Sequence, residues 1–186
     1  MRKNYRSRMK NSLAFIFLIL CCTACVNSVA RRPISQKTAT VLSHTIEQKK
    51  ELIATENAFI ESFMARDTSA VYQTSPFGFW YSYNKRIRAA GRVPVEGDLV
   101  AFEYAIYDLY NNIIYSKEEL GIKKYTIDRE DFIPGLQEGL KLMKVGETVT
   151  FIIPSHRAFG VVGDGHKIAM NTTLKSKVTL LNINQK

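Results

Sequence analysis

The stretch FIPGLQEGLKLMKVGETVTFIIP, Phe132 to Pro154, changes its apolar period twice within a few turns of chain. Pro134-Gly135 opens a segment in which Leu136, Leu140 and Met143 recur at i, i+4 and i+7, the spacing of one helix face. Proline suits the first turn of a helix, where the N–H it lacks would have had no partner. Val145-Gly146 ends that period, and Val149, Phe151 and Ile153 then alternate as they do on a strand with one face buried. Gly139 inside the helix costs about 1 kcal/mol relative to alanine, so a close approach to its backbone is expected. A helix this short does not sustain itself in water, and a sheet curled round it is the arrangement that buries its apolar face.

The flanking sequence supplies that sheet. In GDLVAFEYAIYDLY, Val100, Phe102, Tyr104 and Ile106 share one face of a strand. Asn111-Asn112 tolerates left-handed backbone and reads as a turn before IIYS, and KKYTIDRED places Tyr125 and Ile127 on one side of a short strand. TLKSKVTLLNI makes the last strand. Further upstream, SPFGFWYSYNKRIR reads as an aromatic strand entering a hairpin near Ala89–Arg92, with Trp80 a core residue. From about His44 to Arg66, Ile46, Leu52, Ile53, Phe59, Ile60, Phe63 and Met64 fall at threes and fours, the pattern of one long amphipathic helix. The expected class is α+β: a curled antiparallel sheet around one short helix, preceded by the long helix and an export signal with a tether.

The signal is the N-terminal run. MRKNYRSRMK carries five cations and no acid, SLAFIFLIL is apolar, and CCTAC ends on small residues. The apolar run falls short of the roughly 20 residues that span a bilayer. Ala24 and Thr23 before Cys25 resemble the lipobox of bacterial lipoproteins, although Cys22 stands where leucine is usual. Cys25 is therefore the candidate lipidation site, and VNSVARRPISQKTATV the tether behind it. All three cysteines lie between residues 21 and 25, so a chain starting at Cys25 has neither a disulfide nor a thiolate metal site. The formal charge of +9 comes from 26 basic and 17 acidic residues. Removing the five leader cations leaves 21 against 17, a net of +4, which predicts no nucleic-acid partner.

The blocks G-D-x-V-x-F-x-Y, Y-S, F-I-P-G-L-x-E-G-L-x-x-M-x-V-G-E, I-P-S-x-x-A-F-G and I-x-x-N-T-x-L stand in order between residues 94 and 183. In that order and spacing they resemble the FK506-binding-protein (FKBP) family of peptidyl-prolyl cis-trans isomerases. With the signal, the EQKKELIATENAFI helix and the GFWY strand, the chain further resembles the lipoprotein subgroup of gliding bacteria, the gliding-motility-associated isomerases (GldI-like). The resemblance implies four segments: a signal peptide over 1–24, a tether over 25–42, a helix and strand over 43–92, and an isomerase domain over 93–186. It implies catalytic residues Tyr104, Tyr115, Phe132, Ile133 and Phe159, with Leu136 and Ile168 binding substrate and no cofactor or metal. In the family, the amide matching Ile133 and a hydroxyl at the position of Phe159 bind the ligand's carbonyls; here that hydroxyl is missing. Leu136 replaces the usual tryptophan floor, Ser116 the usual aspartate, Ala169-Met170 the usual Pro-Pro and Ser176 a frequent aromatic.

The implied partners are proline-containing exported polypeptides and, through the lipid, the membrane, with the periplasmic face of the outer membrane as the expected location. The long helix is in addition a candidate homodimer interface. The competing reading is a catalytically weak binding or chaperone module that docks an envelope partner. His44, His156 and His166 stand in no triad or metal spacing and read as surface residues. The glycines of FGVVGDG lack the strand-to-helix context of a phosphate cradle and read as a flap over the pocket. Asn171-Thr172-Thr173 ends a loop before the last strand.

Overall fold

The computed structural model describes residues 35–184, with side chains from Leu42 onward; the leader and Cys25 lie outside the described residues. The chain divides into two units, Met1–Ser43 and His44–Lys186. The first is helical where described, and all that follows concerns the second.

The elements in chain order are α1 (Ser35–Arg66), β1 (Gln73–Ser75), β2 (Phe79–Lys85), β3 (Leu99–Tyr107), β4 (Ile113–Tyr115), α2 (Lys117–Leu120), β5 (Ile122–Thr126), α3 (Pro134–Leu140), β6 (Thr148–Ile153), a 3-10 turn (Ser155–Arg157) and β7 (Leu174–Asn184). The helix α1 starts at Ser35, ahead of the apolar period that begins near His44. The tether residues 35–42 carry no periodic signal but also no Gly or Pro, so nothing in them stops a helix that propagates back from its packed end.

One antiparallel sheet runs in the order β1-β2-β6-β7-β3-β4, with β5 sharing the outer side of β3. Its inner face buries Val100, Phe102, Tyr104 and Ile106 from β3, Val149, Phe151 and Ile153 from β6, and Leu174, Val178 and Leu180 from β7. Against them lie Leu136 and Leu140 of α3 and Met143 just beyond it, all fully buried. Helix and sheet meet closely: a Cβ on Gly139 would stand 2.7 Å from the Phe151 ring, and one on Gly135 2.5 Å from Ile153 Cγ2. The glycine inside the helix is thus a contact with Phe151.

The hairpin expected near Ala89–Arg92 is absent. The aromatic strand turns at its entry instead, where Gly78 adopts φ 77° and its N–H donates to Ser75 O at 3.2 Å, pairing β1 with β2. The far side of β2 pairs with β6. Residues 87–91 are fastened to the α3–β6 connection, by the Ile87 N–H donating to Glu147 Oε1 at 2.9 Å and Lys144 Nζ donating to Ala89 O at 3.0 Å. Those bonds leave Ala89–Arg92 no opportunity to fold back on its own strand.

The outer face is covered at one end only. Trp80 and Ile152, one residue out of phase with Phe79 and Phe151, point away from α3 and meet Ile60 of α1 together with Leu109. Ile152 is fully buried, so β6 is covered on both faces although its sequence reads as one-sided. Leu52 and Phe59 of α1 remain 49% and 45% exposed. No described helix is long and apolar enough to cross a membrane.

Candidate active site

At one end of the inner face, β3, β4, the approach to α3 and the loop after β6 leave a hollow of about 510 Å3. Tyr104, Ile106, Tyr115, Leu120, Phe132 and Ile133 line it from the sheet side, and Ala158, Phe159 and Asp164 from the loop, with Asp131 at its edge. The wall is an aromatic cluster. Phe132 meets Tyr104 and Phe102 edge-on, at 5.6 and 5.7 Å between ring centres, and Tyr125 at a tilt of 38° and 5.7 Å. Lys123 Nζ sits 5.8 Å from the Phe132 ring centre, and Lys167 Nζ 4.7 Å from that of Tyr115.

Five of the residues named from sequence therefore surround one cavity: Tyr104, Tyr115, Phe132, Ile133 and Phe159. Leu136 and Ile168 do not line it; they are 0% and 3% exposed and belong to the core beneath. Leucine at 136 packs against the sheet and leaves the cavity lined by the Phe132–Tyr104 pair above it. Ser176, also buried, donates its hydroxyl to Ala105 O at 3.0 Å.

Ile133 precedes the helix, and its carbonyl accepts from the N–H groups of Leu136 and Gln137. With Pro134 at the first helical position, the Ile133 N–H donates to no backbone carbonyl among the described residues, so the donor at the cavity wall is uncommitted within the main chain. Burial raises the Tyr104 phenol above its ordinary value, which keeps it protonated and able to donate at neutral pH.

Two features escaped the sequence reading. Helix α2 is capped by Ser116, whose Oγ accepts from the Glu119 N–H at 3.2 Å. Ser-Lys-Glu-Glu is the Ser-x-x-Glu signature that could have revealed it. The serine that replaces the family's usual aspartate thus has a local role. The other feature is Asp164. Its Oδ2 accepts from the Tyr115 hydroxyl at 2.5 Å, and its Oδ1 accepts from the N–H groups of His166 and Ile168, both at 2.8 Å. The glycine-rich loop is thereby bonded to β4. That bond to Asp164, followed by burial, raises the Tyr115 pKa. At Asp164 burial would raise the value, but the donors outweigh it and hold the carboxyl below the usual aspartate range. Gly163, at φ 71°, accommodates the turn; a Cβ there would stand 2.4 Å from Ile168 O.

His156 and His166 are exposed as residues, and partial burial of the His156 ring lowers its pKa against the opposing charge of Glu56. No group of His, Cys, Asp and Glu among the described residues is arranged to hold a metal ion. An open, mostly apolar aromatic hollow with main-chain and phenol donors on its wall defines a class of protein that grips an extended apolar segment without covalent chemistry.

Comparison with known proteins narrows the class. Residues 91–181, just under half of the chain, match the family of FKBP-type peptidyl-prolyl cis-trans isomerases, and this segment is a domain of that family. A probable FKBP-type peptidyl-prolyl cis-trans isomerase FkpA from Neisseria meningitidis is 32% identical over 126 residues, which is 68% of this chain. The match covers 44% of that relative, so the chain spans under half the length of the curated protein it resembles. Two crystal structures share the fold. A peptidyl-prolyl cis-trans isomerase from Pseudomonas syringae aligns with a TM-score of 0.57 and 20% identity, over 73% of this chain and 96% of its own. FkpA from Escherichia coli aligns with a TM-score of 0.58 and 23% identity, over 97% of this chain and 92% of its own, a span that takes in α1 as well.

Proposed function

We propose that this protein is a peptidyl-prolyl cis-trans isomerase that speeds folding of exported proline-containing polypeptides. Rotation about an X-Pro bond crosses a barrier of about 18–20 kcal/mol because twisting destroys amide resonance, and it takes roughly 10–100 s unaided. The twisted imide is less polar at its carbonyl and nitrogen than the planar one. A water-poor apolar wall therefore disfavours the planar state relative to the twisted one, and a fixed donor holds the carbonyl while the bond turns. Phe132 and Tyr104 supply the wall, and the Ile133 N–H is the donor. The observation that carries the reading is that five residues from four separate stretches of chain converge on one hollow.

The cellular setting is part of the same proposal. The charged and apolar leader and the lipobox-like Thr-Ala-Cys support a lipid anchor on Cys25 and a place on the periplasmic face of the outer membrane. The likeness of the leader, α1 and the Gly78–Tyr81 strand to the GldI-like lipoproteins supports a role in a gliding apparatus. The exposed Leu52 and Phe59 of α1 support pairing with a second copy.

The absent hydroxyl at Phe159 favours a second reading, a weakly catalytic binding module. An isomerisation assay on a proline peptide decides between them. The full chain in mild detergent is expected to accelerate exchange, and Phe132→Ala or Tyr104→Ala to lower kcat/KM by about tenfold or more, as loss of a group that acts in the transition state does. A rate equal to buffer, together with saturable binding of the same peptide, would select the binding module.

A further inference from the structure

Glu56 lies outside the family-matched segment, yet its carboxylate reaches the loop that closes the hollow. Its side chain is only 12% exposed. The imidazole of His156 has its Nδ1 3.9 Å away, beyond hydrogen-bond distance, and is a cation only when protonated. A carboxylate taken this far from water must be satisfied by donors. Three are in place: the Ser155 N–H donates to Oε1 at 2.7 Å, the Ser155 hydroxyl to Oε2 at 2.8 Å, and the Thr173 hydroxyl to Oε1 at 2.5 Å.

Ser155 and Thr173 are the two stems of a single loop. Between them the chain carries Phe159 and Asp164 into the lining of the hollow and Ile168 into the core below it. The loop's base is closed by the Gly160 N–H donating to Ser155 O at 2.8 Å and the Asn171 N–H donating to Gly160 O at 2.7 Å. The first bond is made to Ser155 and the second to the Gly160 that it holds, so whatever fixes Ser155 steadies the loop's root. Within the loop, the Asp164 N–H donates to Ile168 O and the Ile168 N–H to Asp164 Oδ1. Those bonds shape the loop but do not anchor it to the rest of the molecule. The polar anchors are Tyr115, which donates to Asp164 at the tip, Lys167, whose Nζ donates to Glu119 Oε1 of α2 at 2.6 Å, and Glu56, the one of the three that holds the root.

We infer that Glu56 is a positioning residue for the proline-binding hollow, one carboxylate on the N-terminal helix that fastens both stems of the loop bearing Phe159. The inference rests on the isomerase reading for its catalytic consequence, but not for its structural one. Attachment of α1 to the sheet is served separately by Ile60, fully buried against Trp80 and Ile152 one helical turn further on. The helix then has two separable tasks, docking through Ile60 and loop alignment through Glu56.

The test is amide hydrogen exchange on the full chain in detergent, for wild type, Glu56→Ala, Glu56→Gln, and Ser155→Ala with Thr173→Val. In Glu56→Ala the amides of Gly160 and Asn171 are expected to exchange about tenfold faster, while that of Val178 in β7 keeps its rate, as local opening without global unfolding requires. Glu56→Gln retains one acceptor oxygen and should fall between. The stem double variant keeps the Ser155 N–H and should reproduce part of the Glu56→Ala effect, and combining it with Glu56→Ala should add little beyond Glu56→Ala alone. In the proline-peptide assay the same variants should raise KM several-fold with kcat nearly unchanged, since a misplaced wall weakens ground-state and transition-state contacts alike. Unchanged loop exchange in Glu56→Ala overturns the inference, and so does equal acceleration of Gly160, Asn171 and Val178, which would mark Glu56 as a contributor to global stability alone. If the wild-type chain proves inactive, the exchange result still decides the role of Glu56, and only the isomerase reading falls.

Discussion

The two faces of the sheet are built on different terms. The inner face gathers eighteen buried apolar residues around α3, while the outer face gathers four, Ile60, Trp80, Leu109 and Ile152, beneath the end of α1. Inner-face residues come from β2, β3, β5, α3, β6 and β7, so that cluster decides whether the sheet exists. The outer cluster decides only whether one helix stays on it. A substitution in each should therefore differ in size and in what it releases.

The largest effect is expected at Phe151, which is fully buried, packs edge-on against Phe79 at 5.8 Å and presses on Gly139. Phe151→Ala should lower the free energy of unfolding by about 3–5 kcal/mol, read as a shift of the denaturant midpoint at unchanged slope. Ile60→Ala, from a site of equal burial but in the small cluster, should cost about 2 kcal/mol, the low end of its class, because the helix end has room to settle into the space. Trp80 is the single tryptophan of the chain and touches Ile60, so its emission should shift to the red in Ile60→Ala and hold in Phe151→Ala below the unfolding midpoint. Equal losses from the two variants would show that the faces are one cooperative core, and the distinction would be lost.

The same contrast governs what the sequence disclosed. The inner face was readable because its residues repeat at two within β3, β6 and β7 and at four within α3, so each element announces its own buried side. The outer cluster was readable only in part: Trp80 was expected in the core and Ile60 on the apolar face of its helix, but Trp80 and Ile152 are single residues on strands whose next outward positions are polar, Ser82 and Thr150, and Leu109 stands in the turn after β3. Only docking of α1 makes them neighbours. The five hollow-lining residues were legible because the family motif fixes their places on neighbouring elements. Leu136 and Ile168, named by that same motif, sit one layer deeper, and a motif carries no information about depth. Glu56 and Asp164 stayed hidden for a third reason: a carboxylate's partners here are donors on remote segments, and no local pattern brings 56 to 155 and 173, or 164 to 115.

The smallest effect concerns the rim of the inner face, where charge replaces apolar packing. Asp164 has its pKa held below the ordinary 3.8 by the Tyr115 hydroxyl and two loop amides. A carboxyl whose folded value is depressed contributes stability that is present above its unfolded value and is lost as pH falls through the folded one. The loop's attachment to β4 should therefore be intact from neutral pH down to about 4 and loosen only below it. Followed by NMR, the Ile168 amide, which donates to Asp164, should move with a midpoint under 3.8, while the Val178 amide in β7 stays still over the same range. Asp164→Asn at neutral pH keeps one acceptor oxygen for the loop amides but removes the charge that Tyr115 donates to, so it should reproduce the acid shift of the Ile168 amide and bring the Tyr115 phenol back toward its ordinary pKa. A midpoint above 3.8 would mean that burial outweighs the three donors at Asp164. The rim would then be governed by the same exclusion of water as the core, and the difference between packed centre and hydrogen-bonded edge would disappear.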